Sequence, residues 1–310
     1  MKKFLFSTII FALVLASGNA DDLGIANDFN AFIFSDANTI GGQSDGAVAV
    51  GGHWDMGYAV NRNNLGASTI TENPNVAMVV GGSITTQGVA RSLHGDVYVG
   101  QRITGTLDVQ NGQLNPDRIS HRFNEQEEYS RVQSSYLASL TGQAINVSDP
   151  NNINVNLRAN TRNGNLKVYN VNASELSTLS TLNLSGGNGN ETVVINVRGH
   201  ADVNWGWEVN YPNKNRLVWN FLDTRNIFVA NRDFDGSMIA RYATVSQVKN
   251  IRGTMIANRW VSGNGAELHF GNQYKFNGHL PYAPVPEPAT LLVLGAGAVA
   301  FIRRRRSNQA

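Results

Sequence analysis

Apolar residues along this chain fall into three patterns, and each predicts a different element. Between residues 21 and 282 they form short β-branched segments separated by Gly and Asn, which predicts many brief strands joined by tight turns. Turn dipeptides such as Asn111-Gly112, Asn163-Gly164, Asn188-Gly189, Asn264-Gly265 and Asn277-Gly278 mark where the chain reverses. The strand segments also resemble one another. Val48-Ala49-Val50-Gly51-Gly52 is echoed by Ala77-Met78-Val79-Val80-Gly81-Gly82 and by Val97-Tyr98-Val99-Gly100, and Gly236-Ser237-Met238-Ile239-Ala240 returns 17 residues later as Gly253-Thr254-Met255-Ile256-Ala257. Near-repeats at that spacing suit the rungs of a β-solenoid, each stacking its apolar residues on the next, with glycine where a Cβ would clash at a corner. A twisted β-sandwich is the alternative, because it also uses short strands with frequent turns.

A second pattern interrupts the first. From Asp117 to Leu140 glycine disappears, and Ile119, Phe123, Tyr129, Val132, Tyr136, Leu137 and Leu140 recur at near-helical intervals. The spacing predicts one amphipathic helix over 117–140, capped by Asn115, with Pro116 at its first position and Gly142 at its stop. Its apolar stripe is expected to pack along the side of the β body.

The third pattern lies at the ends. Lys2 and Lys3 precede an unbroken apolar run from Phe4 to Ala16, followed by Ser17, Gly18 and Ala20, which is the layout of a secretory signal occupying 1–20. Near the other end come Val285, Pro286, Glu287 and Pro288, then a mostly apolar run from Ala289 to Ile302, then Arg303, Arg304, Arg305 and Arg306. The prolines break any upstream helix, the run is marginal for spanning a bilayer as a transmembrane helix, and the arginines would hold its end on the cytoplasmic side. This stretch resembles the PEP-CTERM sorting signal, which implies cleavage near the Pro-Glu-Pro motif by a membrane-embedded exosortase after transient membrane association. The expected division is therefore 1–20 signal peptide, 21–282 β domain and 283–310 sorting signal.

Charge reads differently once the ends are set aside. Without Lys2, Lys3 and the four terminal arginines, 19 basic residues face 23 acidic ones, a net of −4. No basic patch remains to argue for nucleic acid. The chain has no cysteine, which excludes disulfides and thiol chemistry even in an exported protein.

Catalytic motifs are sparse. The six histidines lack the His-Glu-x-x-His spacing of a zinc site, no Gly-x-Ser-x-Gly elbow occurs, and the Gly-Gly pairs at Gly41, Gly51 and Gly81 lead into β-like sequence and not into a phosphate-binding helix. Asp233 and Asp235 alternate on a strand, which would place them on one face about 6.5 to 7 Å apart, within reach of inverting glycosidase geometry; the plainer reading is solvated turn residues. Trp205, Trp207, Tyr211 and Trp219 form the densest aromatic group. Trp205, Trp207 and Tyr211 are candidates for stacking on sugar rings, and equally candidates for core. The pairs Thr69/Thr71 and Thr104/Thr106 are too few for an ice-binding array. No cofactor or metal is expected; structural calcium in Asp/Asn-rich turns stays open.

The body also resembles the choice-of-anchor A family. The residues that carry this are Leu23 to Ala26 with Phe29, Asn30 and Phe32; Gly46 to Gly52; Asn170-Val171; Val194 to Gly199; Leu217 to Phe221; Gly236 to Ala240; Glu267-Leu268-His269; and Phe276 to Gly278. Where that family has Ala-Pro-Asn, this chain has Ala240-Arg241-Tyr242. The resemblance implies an extracellular, ice-binding-like adhesive β-helix; Glu267 and His269 belong to its motif without an assigned role. Two function classes follow. One is a non-catalytic adhesin or biofilm component on the cell surface or in the extracellular matrix, meeting polysaccharide or another surface ligand after signal peptidase and exosortase have acted. The other is a carbohydrate-active enzyme using Asp233 and Asp235.

Overall fold

The computed structural model describes residues 23–282, apart from 68–69, 71–74, 117–119 and 162. Its strands pair in parallel, side chain over side chain, which establishes the β-solenoid and removes the sandwich alternative, whose sheets are antiparallel. The repeats seen in the sequence are neighbouring rungs. Met238, Ile239 and Ala240 stand opposite Met255, Ile256 and Ala257, while Val48 and Val50 stack on Met78 and Val80 and then on Val97 and Val99.

Three faces result. A covered face runs in the order Leu114–Pro116, Asp96–Val99, Val76–Val80, Ala47–Val50, Phe29–Ile33, the first halves of Met255–Ser262 and Ser237–Gln247, then Leu217–Phe221, Thr192–Arg198, Leu166–Asn172 and Gln143–Ala144. A long open face joins the first halves of Ile103–Val109 and Ile84–Ser92 to Trp54–Met56, Ala37–Thr39, the second halves of Met255–Ser262 and Ser237–Gln247, Asn226–Val229 and Val203–Trp205. A charged face follows Ile103–Val109, Ile84–Ser92, Ala59–Val60, Gly42–Ser44, Ala266–His269, Ile251–Arg252 and Phe234–Asp235. Three further strands, Ile153–Asn156, Thr181–Ser185 and Glu208–Asn210, form a separate parallel sheet at one end.

Rung order differs from chain order. The first strand, Phe29–Ile33, lies in the middle of the stack, flanked by Ala47–Val50 on one side and by the late strand Met255–Ser262 on the other. Early rungs build outward to Leu114–Pro116, the helix Ser120–Ser139 (α1) intervenes, and later rungs build back from Gln143–Ala144 until they meet the first. At 20 residues α1 is roughly 30 Å long, about six strand spacings.

The helix was expected, but two of its details are corrected. Asn115 and Pro116 belong to the strand Leu114–Pro116 and not to a helix start, and the first three positions of the expected range fall outside the described residues. The buried stripe of α1 is also mostly polar: Phe123 and Leu137 are buried together with Gln126, Ser130, Gln133 and Ser134. Gln126 accepts from the Ala26 backbone N–H and donates to the Leu23 carbonyl and to Ser130. Ser134 and the Leu137 carbonyl meet a ladder of asparagines on the covered face, where Asn220 donates to the Ser134 carbonyl and to Asn196, and Asn196 donates to the Leu137 carbonyl. The Asn196 and Asn220 positions, noted in the sequence as part of a motif, are the surface on which the helix sits, and Asn170 continues their column in register. Phe32, with Phe123 5.0 Å away, Val194, Val218, Ile239 and Ile256 supply the apolar remainder.

Candidate functional site

The aromatic cluster is interior. Trp205 and Trp207 are each 1% exposed and Tyr211 4%. The Trp205 and Trp207 ring centroids stack 3.9 Å apart, and Trp219 and Phe234 close around them at 5.0 and 4.2 Å from Trp205. The indole N–H of Trp205 donates to the Asp233 carbonyl, and the Tyr211 hydroxyl donates to the Glu191 carbonyl. Burial pushes the Tyr211 phenol upward. A covered ring offers no face to a sugar, so Trp205, Trp207 and Tyr211 are withdrawn as glycan contacts: solenoid strands turn alternate side chains inward, and these three are on the inward side.

Asp233 and Asp235 lie on the charged face, and the residues around them were missed at the sequence level. Arg252 bridges both, at 2.5 Å to Asp233 and 3.4 Å to Asp235, and Lys214 reaches Asp235 at 2.7 Å. Asp235 is nearly buried beneath these two cations, its side chain 6% exposed. An inverting glycosidase needs one carboxylic acid that holds a proton and a gap for water between two carboxyl groups. Here the Arg252 guanidinium lies against both carboxylates and fills the gap between them. The arrangement is a structural ion-pair network, and the enzyme reading on these acids is corrected accordingly. A cavity of about 270 Å³, lined by Ala144, Asn170, Glu175 and Arg198 among others, lies at the Gln143–Ala144 end, and neither aspartate lines it. Among the described residues no group of three or more His, Asp or Glu side chains is placed to hold a metal ion.

Glu267 and His269 extend the same network across the junction between the last rung and an early one. Glu267 pairs in register with Gln43 and accepts a hydrogen bond from its side chain at 2.8 Å. His269 sits 3.2 Å from Asp45 and 3.7 Å from Glu267, and Asp45 also accepts from the Phe270 backbone N–H. The hydrogen bond with Asp45 raises the His269 pKa above 6.5, and the charges of Asp45 and Glu267 add to it against burial and Arg252. Beneath them Asn30 donates to the Gly253 and His269 carbonyls, tying the first rung to the last. The signal was present in the sequence: Asp233, Asn250 and Glu267, and likewise Asp235, Arg252 and His269, recur at the 17-residue spacing of the glycine repeat, so they stack directly on one another.

Among the described residues no helix lies over the long open face. Its outward column reads Asn204, Phe228, Ser246, Val261, Asn38, Asp55, Thr85 and Thr104, in register over about 34 Å. Asn204, Asp55, Thr85 and Thr104 are exposed and the others partly so. This is a mixed polar and apolar strip without a threonine ladder, and Thr104 and Thr106 fall on either side of a corner at Gly105, where the register shifts. At the edge of the face stands Tyr242, 39% exposed, with Arg241 and Arg225 at 3.9 and 4.8 Å from its ring centre. Tyr242 lies where Ser237–Gln247 turns from the covered to the open face, at the Ala240-Arg241-Tyr242 position singled out as a departure from the family pattern.

The sorting residues Val285 to Pro288 and Arg303 to Arg306, and the apolar run between them, lie outside the described residues. Among the described residues no helix is long and apolar enough to cross a membrane.

A family model described as "Putative Ice-binding-like adhesive domain" matches residues 22–270, and one described as a PEP-CTERM protein-sorting motif matches residues 284–306. Among solved structures the chain is similar to the Shewanella frigidimarina ice-binding protein_1 DUF3494 domain, at 12% identity and a TM-score of 0.43 over 81% of this chain and 97% of that one. It is also similar to an ice-binding protein from the Antarctic ascomycete Antarctomyces psychrotrophicus, at 16% identity and a TM-score of 0.38 over 81% and 98% of the two chains. A third similar structure is an ice-binding protein from an Antarctic biological consortium, at 15% identity and a TM-score of 0.41 over 82% and 94%. No curated protein matches the chain.

Proposed function

Because this chain belongs to the ice-binding-like adhesive domain family and carries a PEP-CTERM sorting motif behind that domain, we propose that it is an adhesive component of the extracellular matrix that holds polysaccharide along its long open face. The protein is exported, its sorting motif is processed by exosortase, and its place is the cell surface or the extracellular matrix. It is non-catalytic. The observation that carries the proposal is the uncovered column from Asn204 to Thr104, which sets amide, hydroxyl and carboxylate groups at regular strand spacing on a rigid support. Tyr242 and Phe228 add ring surface beside them, Tyr242 exposed and Phe228 partly so.

Such a strip makes many weak contacts with an extended polymer and needs no deep pocket. Avidity then comes from many copies on one surface. The test is retention of the purified protein on extracellular polysaccharide of the producing cells. The double substitution Tyr242→Ala with Phe228→Ser is expected to weaken retention roughly tenfold, while Arg252→Gln on the charged face leaves it unchanged. Equal retention of the first variant and the parent would exclude this face as the adhesive one.

A further inference from the structure

The two ends of the solenoid are finished differently. At the end formed by Gln143–Ala144 and Ile153–Asn156, the inward residues Ile145, Ile153 and Val155 are buried, and Val147 packs against the same core. At the end formed by Ile103–Val109 and Leu114–Pro116, the interior columns stop in the open. Ile103, Leu107 and Val109 are only partly buried there, and Leu114, in register with the buried Val97, is 52% exposed. The strand edge is open as well. The Arg102 carbonyl accepts from the Ile84 N–H, and the Gln110 N–H donates to the Ser92 carbonyl. Alternation along a strand therefore turns the N–H and C=O of Ile103, on one side of the Gly105 corner, and of Leu107 and Val109, on the other, away from the molecule. Among the described residues Pro116 blunts this rim on the covered face.

The rim sequence indicates what covers it. Arg102-Ile103-Thr104-Gly105-Thr106-Leu107-Asp108 has the same residue character read in either direction, with opposite charges at its ends. The geometry points to a second copy of this chain, stacked end to end and antiparallel about a two-fold axis through the Gly105 corner. In that register Gly105 faces Gly105 of the second copy, Thr104 faces its Thr106, Ile103 its Leu107 and Arg102 its Asp108. Ile103 and Leu107 make the hydrogen-bonded pair through their free backbone groups, and their side chains close the open interior. Arg102 and Thr104 are exposed on the outer surface, where they form the charge pair and the hydroxyl pair. Within one copy Asp108 accepts a hydrogen bond from the Gln110 side chain at 2.6 Å and lies 3.8 Å from Arg91, and its side chain remains 41% exposed. A two-fold axis through one corner of a three-sided solenoid exchanges the two faces that meet there and reverses strand direction. The contact therefore closes as a dimer and does not propagate into a fibre.

Sedimentation equilibrium of the purified exported protein tests this without any polysaccharide, so its failure would leave the adhesive proposal standing. The expected result is a reversible monomer–dimer equilibrium. Arg102→Asp, which sets like charges opposite each other twice, weakens it about tenfold, and Arg102→Asp combined with Asp108→Arg restores it. Amide exchange at Ile103 and Leu107 slows as protein concentration rises. A protein that stays monomeric throughout, an Arg102→Asp variant that dimerises like the parent, or open-ended oligomers would each overturn the proposal.

Discussion

A tryptophan enclosed by other rings acts through packing, and Trp205 is the plainest instance in this molecule. It touches Trp207, Trp219 and Phe234 at once, so Trp205→Ala is expected to destabilise the fold by about 3–5 kcal/mol in urea denaturation. The fraction that remains folded should hold polysaccharide as well as the parent does. His269 makes a prediction with a sign. Its folded pKa lies above 6.5, so its ionic contribution is fully present below that value, where folded and unfolded chains are both protonated. As pH rises through the folded pKa the proton leaves, and the attraction to Asp45 and Glu267 goes with it. The urea midpoint should therefore fall as pH climbs from 6.5, and His269→Gln should flatten that part of the profile. If the two profiles ran parallel, His269 would have no part in clasping the last rung to the early ones.

Between elements, the contact that matters most is the one the helix makes with the asparagine ladder. A stripe of Gln126, Ser130, Gln133 and Ser134 gains little from leaving water unless its groups find partners: Gln126 finds Ala26, Leu23 and Ser130, the Ser134 hydroxyl donates to Asn220, and Asn220 and Asn196 donate in turn to the Ser134 and Leu137 carbonyls. Asn220→Ala removes hydrogen bonds to Ser134 and Asn196 in a fully buried place, with an expected cost of roughly 1–3 kcal/mol by denaturation and faster amide exchange in α1. This polar docking was not legible in the sequence, because an apolar stripe is the ordinary signature of a packed helix and the residues that replace it became buried only through partners far along the chain. The rungs were legible for the opposite reason. Stacking in register demands like over like, so Met238 to Ala240 over Met255 to Ala257 left a visible repeat. The same 17-residue spacing carried Asp235, Arg252 and His269, yet a charge ladder differs in residue type at every step and does not look like a repetition. The glycines at rung corners are held by contact: a Cβ on Gly81 would lie 2.4 Å from the Gly51 carbonyl oxygen. Gly81→Ala should thus push adjacent rungs apart and lower the denaturation midpoint.

For the whole molecule, the consequence of the topology is that the chain's earliest and latest described rungs are not the ends of the stack. Ala31 stands beside Met255 and Gln43 beside Glu267, and Asn30 ties the junction from beneath. In an ordinary solenoid built in chain order, the first and last repeats contact one neighbour each and fray first. Here the rungs with a single neighbour are Ile103–Val109 with Leu114–Pro116 and Gln143–Ala144 with Ile153–Asn156, all from the middle of the sequence. Hydrogen exchange of dilute protein should therefore show a gradient inverted with respect to the sequence, slowest at Phe29–Ile33 and Met255–Ser262 and fastest at 103–116. Fastest exchange at the junction would mean that the two half-stacks open independently. The same arrangement makes refolding slow, since Phe29–Ile33, Ala37–Thr39 and Gly42–Ser44 cannot complete their pairing until residues more than two hundred positions away arrive, and contacts of that separation form late. Asn30→Ala should slow that closure and speed amide exchange on both sides of the junction, while leaving the rungs at either end of the stack at their parent rates.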